Sequence, residues 1–282
     1  MEINGIKINS NFLKNLSNDF HNDLKLIEKR IFSLTNSIFN LASPKQLGEV
    51  LFDKLKIIDS PKKTKSGQYS TSEEILSKLA KDHEVVSEVL KWRSLQKLIN
   101  TYVDALPKQI NLNTNRIHAV FNQAVASTGR LSSNNPNLQN IPIRSAEGRK
   151  IRQAFIAPTG KKLIAADYSQ IELRIMAHLS ADKGLMNAFN QGEDVHKVTA
   201  AEVFKVSVDE VSIEQRRSAK AINFGLIYGM SAFGLAKQID VGRKEAQQYI
   251  NTYFERYPGV REYMDNTREL AAKQGYVETL FG

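Results

Sequence analysis

A chain of 282 residues, 41% hydrophobic and 24% charged, holds enough apolar material for one large core or two modest ones, which excludes a disordered composition. Lys and Arg outnumber Asp and Glu by 39 to 30, and the resulting formal charge of +9 favours a polyanionic partner; the absence of cysteine excludes disulfides, thiolate metal sites and a thiol nucleophile. The amino terminus has no basic-then-apolar leader pattern, and the longest uncharged stretch, 221–236, is shorter than the roughly 20 apolar residues a bilayer requires, so no membrane span is expected.

The first third reads as helix. Phe12, Leu16, Phe20, Leu24, Ile27, Ile31, Leu34 and Ile38 recur at three- and four-residue steps, which predicts one long amphipathic helix. "SPKQ" at 43–46 is a capping-box pattern with Pro at the first helical position, opening a helix that carries Leu47, Val50, Leu51 and Leu55. "SPKKTKSGQYST" then predicts an exposed basic loop, and a second capping pattern at 71–74 starts a short helix. "DHEVVSEVLKWRSLQKLINTYVDALP" predicts a long helix ending before Pro107. Val85, Val89, Leu95, Leu98, Ile99 and Tyr102 are expected to face inward, with Lys91, Arg93 and Lys97 pointing elsewhere. Helices bracketing a basic tip form a lever suited to gripping a polyanion.

From about Asn113 the pattern changes. "RIHAVFNQAV" alternates with period two, and "RQAFIAPTGKKLIAAD" predicts two strands joined by a Pro/Gly turn. Between them "STGRLSSNNPNLQNIPIR" is too polar for a core and reads as a long loop, of the kind that is functional or disordered. After Gly184 the chain is helical again. "SVDE" at Ser207 and "SIEQ" at Ser212 are capping signals, and helices are expected near 215–228, 243–257 and 260–274. "GYVETLFG" reads as a strand that has only begun.

In "KKLIAADYSQIELRIMAHLS" the apolar run 163–166 ends on Asp167, and Glu172 interrupts an apolar helical face. A carboxylate at the carboxyl end of a buried strand is held where sheets bind ligands and metals, but Asp167 reads equally as an N-cap of the following helix. Glu172 is either a surface partner of Arg174 or Lys162, or a second acidic ligand. Two carboxylates in a basic protein suit Mg²⁺, which takes oxygen ligands and keeps waters for phosphate.

In "RRSAKAINFGLIYG" the residues Arg216, Lys220, Phe224 and Tyr228 are four apart, so on one helix they form a slowly drifting stripe about 18 Å long. Two cations followed by two rings match a ligand with phosphates at one end and a flat base at the other. The opposing reading places Phe224 and Tyr228 in the core beside Ile222 and Leu226, with the cations snorkelling.

"DYSQIELR" and "RRSAKAINFGLIYG", in that order and about fifty residues apart, resemble the first two signature motifs of family A DNA polymerases, the bacterial DNA polymerase I group. "TGRLSSNNPNLQNIP", "DVHKVTAAEVF", "YFERYPGV", "SPKQL" and "KKTKSGQYST" resemble the same family, so the likeness runs over essentially the whole chain. It implies an α+β, mostly helical fold of right-hand architecture. Residues 1–113 would form a helical palm base and thumb, 114–183 an incomplete antiparallel-sheet palm with the first metal-binding motif, and 184–282 helical fingers. The implied activity is template-directed transfer of deoxynucleotides from their triphosphates to the primer 3′-hydroxyl of primer-template DNA, with two Mg²⁺ ions, in replication or repair. The implied location is the bacterial cytoplasm, at the nucleoid.

By the same resemblance Asp167 is one of two aspartates that hold the Mg²⁺ pair, with the Tyr168 carbonyl as a further ligand, and Glu172 is a steric gate against ribose. Arg216, Lys220 and His196 would contact the incoming triphosphate, Lys220 also donating a proton to pyrophosphate. Phe224 would pack under the nucleotide, and Tyr228 would sit at the templating position. Arg130, Asn137 and Gln139 would read the minor groove near the primer terminus. Lys62, Lys63 and Lys65 would touch duplex phosphates. Without the resemblance, His196 reads as a surface helix histidine and the three lysines as solvated.

The family's third signature, a His-Asp-Glu tripeptide that brings the second aspartate, has no counterpart here. The chain is therefore expected to stop before it, to need a missing carboxyl-terminal polymerase segment as partner, and to have little activity alone. A non-catalytic fragment that binds nucleotide and DNA is the alternative. A nuclease built on Asp167 and Glu172 is disfavoured, because no third acidic ligand is placed near them.

Overall fold

The computed structural model describes residues 1–143 and 145–282; Arg144, the last residue of the expected polar loop, lies outside the described residues. The chain packs as two units, Met1–Ile164 and Ala165–Gly282.

In the first unit, helix α1 (Ser10–Thr35) starts where the Asn9 side chain accepts from Phe12 N at 3.0 Å and ends where Asn36 turns left-handed at φ 45°. Leu13, Leu16, Phe20, Leu24 and Ile31 form its buried stripe. The expected stripe is corrected at both ends: Leu13 rather than Phe12 is buried at the start, while Leu34 is 39% exposed and Ile38, beyond the left-handed cap, 88%. Helix α2 (Pro44–Gly48) is capped by Ser43 and runs into a π-helical turn, Glu49–Lys54. Only half of its capping box forms, because the Gln46 side chain accepts from Asn40 N instead. Helix α3 (Glu73–Leu79) begins behind Ser72 rather than Thr71. Thr71 is buried and otherwise engaged, its carbonyl and hydroxyl both accepting from Arg93.

Helix α4 (Glu84–Leu98) packs on α1 and continues as a π turn, Ile99–Val103. Val85, Val89, Leu95, Leu98, Ile99 and Tyr102 are all buried as expected. The helix ends before Pro107, as expected, and Pro107 lies within a 3₁₀ turn, Leu106–Gln109, where its missing N–H is not needed.

The strands are short. β1 (Lys7–Ile8) pairs antiparallel with a strand at Phe155–Ile156, and β2 (Val120–Asn122) pairs antiparallel with β3 (Ser132–Asn134), so Phe155–Ile156 is β4 in chain order. The expected polar loop thus contains a strand, and behind it Ser133 Oγ donates to the Pro136 carbonyl at 3.1 Å and accepts from Leu138 N at 3.3 Å. Helix α5 (Ala146–Arg152) opens at Ser145, which accepts from Gly148 N.

Two expected strands do not form. Residues 163–166 lie outside every strand of the described residues, with Leu163 57% and Ile164 91% exposed. An apolar run becomes a strand only when neighbouring strands take its N–H and C=O groups, and none here does. "GYVETLFG" likewise stays exposed and ends in a turn.

The second unit is helical: α6 (Ile171–Ser180), α7 (Lys183–Asn190), α8 (Val195–Phe204), α9 (Ile213–Ile227), α10 (Ala232–Ile239), α11 (Arg243–Arg256) and α12 (Pro258–Gln274). Both capping boxes form, Ser207 with Glu210 at a 3₁₀ turn and Ser212 with Gln215 at α9. Leu173, Leu185, Ile222, Leu235, Tyr253 and Val260 are among its core residues. Asp182, 3% exposed, ties two helices together: Oδ1 accepts from Leu185 N of α7 at 3.0 Å and Oδ2 from Gly259 N of α12 at 2.9 Å. The α+β, mostly helical class holds, and among the described residues each sheet has two strands.

Candidate active site

Helix α9 shows two faces. Ala219, Ile222, Asn223 and Leu226 are buried at 2% exposure or less. Arg216, Lys220, Phe224 and Tyr228 lie on the other side, Arg216 and Phe224 half-buried and Lys220 and Tyr228 exposed. Ile222 and Leu226 therefore make the core and the cation-then-ring stripe does not. Tyr228 stands just past the last turn, and Gly229 follows at φ 75°, a left-handed conformation that favours glycine. Within the stripe Lys220 Nζ lies 5.9 Å from the Phe224 ring centre.

Beneath this face is a buried polar chain. His196 on α8 is 2% exposed, and its Nδ1 lies 2.9 Å from Asn223 Nδ2. Asn223 Oδ1 in turn accepts from Thr199 Oγ1 at 3.0 Å. With the amide nitrogen donating, Nδ1 is an acceptor and the imidazole proton sits on Nε2. Burial pushes the His196 pKa down to about 4; the nearby Arg216 and Lys220 charges act in the same direction, against Asp194. The surface-histidine reading is corrected: at neutral pH this is a neutral, buried ring, centred 5.6 Å from Phe224.

Asp194 joins α8 to α9. Its Oδ1 accepts from His196 N at 3.0 Å and Lys197 N at 3.3 Å, capping α8, while Oδ2 accepts from Arg216 Nε at 2.7 Å. Desolvation raises its pKa, but the Arg216 hydrogen bond and charge and the two backbone donors hold it below the usual carboxylate value.

Asp167 and Tyr168 are exposed on the unpaired segment that precedes α6, and α6 packs against α9. The N-cap reading of Asp167 fails, since the cap position of α6 is Gln170, in a left-handed conformation at φ 54°. Glu172 is half-buried in the first turn of α6. Arg174, one of its expected partners, donates to the Ser169 carbonyl at 3.0 Å and lies 4.5 Å over the Phe189 ring. Among the described residues no three acidic or imidazole groups cluster as a complete metal site.

In the first unit Lys62, Lys63 and Lys65 are exposed, as expected, but on a small hairpin. Ser70 N donates to the Lys62 carbonyl at 2.8 Å and Thr64 N to the Gln68 carbonyl at 2.7 Å. Tyr69 anchors it, with its hydroxyl on Asp53, its ring 5.3 Å from Phe52 and Lys63 Nζ 5.1 Å above it. Gly48 faces this ring so closely that a Cβ there would lie 2.8 Å from Tyr69 Cβ. Arg130, Asn137 and Gln139 are exposed around the β3 hairpin, Gln139 N donating to Asn137 Oδ1 at 3.0 Å.

Asp194, Asn223 and Thr199 were not singled out in the sequence. The signals were present, an Asp just ahead of a helical run and an Asn on the apolar face of α9. Their partners lie 22 to 27 residues away, and only the packing of α8 on α9 brings them together.

The chain belongs to DNA polymerase family A, whose profile matches residues 10–282. It is 59% identical, over all of its length, to DNA polymerase I of Pseudomonas aeruginosa, and 50% identical over 99% of it to DNA polymerase I of Geobacillus stearothermophilus. It covers 31% and 32% of those two proteins, so it spans about a third of the length of these curated relatives. A solved structure, the POL domain of Pol1 from M. smegmatis in complex with DNA primer-template and dNTP, is similar at a TM-score of 0.87 and 44% identity, over 99% of this chain and 49% of that one.

Proposed function

We propose that this chain is the thumb, part of the palm and the fingers of a template-directed DNA polymerase, with those roles divided near residues 113 and 183. The α9 face carries the reading: its side chains stand outside the core in the order that a triphosphate followed by a base requires. The likeness to a Pol1 domain in complex with primer-template and dNTP supports it.

In this reading Arg216 and Lys220 neutralise the incoming triphosphate, His196 offers its neutral Nε2–H, and Lys220 donates the proton that the departing pyrophosphate takes up. Phe224 packs under the sugar and base, Tyr228 borders the templating position, and Glu172 crowds a ribose 2′-hydroxyl; each stacked ring contributes about 1–3 kcal/mol. Arg130, Asn137 and Gln139 read minor-groove acceptors, and Lys62, Lys63 and Lys65 hold duplex phosphates. The protein would act in the bacterial cytoplasm, at the nucleoid, in replication or repair.

The Asp167 carboxylate and the Tyr168 carbonyl are hard oxygen donors on an open segment, which fits Mg²⁺ but fills only part of its six positions. When bound there with a second carboxylate, Mg²⁺ would supply Lewis-acid stabilisation of the reacting oxygens. That second carboxylate would come from polypeptide outside this chain, either the remainder of a longer protein or a second component.

The 282-residue chain should therefore bind primer-template DNA in a salt-sensitive way, as followed by fluorescence anisotropy, yet not extend a primer. Completed with the rest of a family A polymerase domain, it should extend primers, and Asp167→Asn should abolish that extension while leaving DNA affinity intact. Failure of the completed protein to extend primers, with binding retained, would favour the non-catalytic fragment.

A further inference from the structure

Asp194 takes no part in the chemistry above, yet it makes three hydrogen bonds between the two helices that carry the triphosphate contacts. Its two oxygens divide the work: Oδ1 caps α8 just ahead of His196, and Oδ2 accepts from Arg216 Nε at 2.7 Å. A guanidinium held through Nε keeps the four N–H bonds of its two terminal nitrogens available for phosphate oxygens, and its plane is fixed before ligand arrives. The pair is partly exposed, 42% for the Arg216 side chain and 31% for Asp194, so the guanidinium stays accessible to ligand.

We propose that Asp194 is a positioning residue for triphosphate binding, orienting Arg216 through Nε and holding the start of α8, with His196, in register with α9. This rests on the reading of Arg216 as a triphosphate contact.

The proposal predicts the opposite sign from one simpler role and a change where the other predicts none. If Asp194 were only an anion near the phosphates, neutralising it would tighten anion binding by removing repulsion. If it were only a helix cap, Asn would serve as well and nothing would change. As a positioning residue its replacement weakens binding, because the guanidinium must then be ordered by the ligand itself.

The test uses the 282-residue chain with inorganic tripolyphosphate as the probe, in isothermal titration calorimetry beside two-dimensional ¹H–¹⁵N NMR of the arginine Nε–H signals. Asp194→Asn is expected to retain the wild-type melting temperature, to lose the protected Arg216 Nε–H signal, and to bind tripolyphosphate about three- to tenfold more weakly. If Asn fails to fold, Asp194→Ser keeps a capping oxygen and is expected to show the same losses. Equal or tighter binding by the folded variant would overturn the proposal. Arg216→Ala separates the two layers: wild-type binding no stronger than that variant's would sink the Arg216 reading and the proposal with it, whereas normal loss in Arg216→Ala beside no loss in Asp194→Asn sinks the positioning role alone.

Discussion

His196 illustrates how packing resets the chemistry of a side chain. In the unfolded chain a histidine takes up a proton near pH 6.5, while burial holds the folded one near 4. Between those values the unfolded state binds the extra proton, so stability rises with pH across the window and is lost as pH falls through it. The difference is on the order of 2–3 kcal/mol. Urea unfolding at pH 7 and pH 4.5 should show that loss in the wild type and a smaller one in His196→Gln. Equal losses in both would move the cause to other groups. Under the proposed function, the same shift predicts that triphosphate affinity between pH 6 and 8 shows no imidazole titration, the positive charge there being assigned to Arg216 and Lys220.

At the scale of elements, Asp182 and Tyr69 are the ties that sequence periodicity does not reveal. Asp182→Ala would leave the N–H groups of Leu185 and Gly259 without their acceptor. The expected loss is about 2–3 kcal/mol, seen as a lower urea midpoint, because a buried donor and a part-buried one are orphaned together. Asp182→Asn should lose less, its one amide oxygen still serving one donor. In the hairpin that carries Lys62, Lys63 and Lys65, Gly48→Ala would push Tyr69 off its seat on Phe52 and Asp53. Tyrosine fluorescence quenched by added iodide should then report a more accessible Tyr69, while an unchanged accessibility would mean that the ring shifts without leaving.

For the molecule as a whole, the charge balance and the two-unit packing make separate predictions. Replacing Lys62, Lys63 and Lys65 with Gln should reduce the slope of log affinity against log salt for duplex DNA by up to about 3, roughly 0.9 for each phosphate that is no longer neutralised. No change in slope would return these lysines to ordinary solvated surface. The boundary between the units, at Ile164, falls in an exposed segment with Lys161 and Lys162 beside it. Limited trypsin treatment should cut there first, giving fragments identifiable by mass, and early cleavage inside α4 or α9 would contradict the packing.

Much of this protein was legible without a structure. The long helix at the amino terminus, the Ser207 and Ser212 caps, the inward face of α4 and the outward stripe of α9 all follow from local rules, where a residue's neighbours three or four positions away decide its place. The family was legible for a related reason, since long motifs survive as ordered strings. What local pattern cannot decide is whether a partner is present. The apolar run before Asp167 has strand composition but no strand beside it, so it stays exposed. Asp194, Asn223 and Tyr69 take their roles from groups brought close by packing, and His196 is neutral because the fold removes it from water. Pairing, burial and the pKa values that follow are properties of distance in space, which only the tertiary structure supplies.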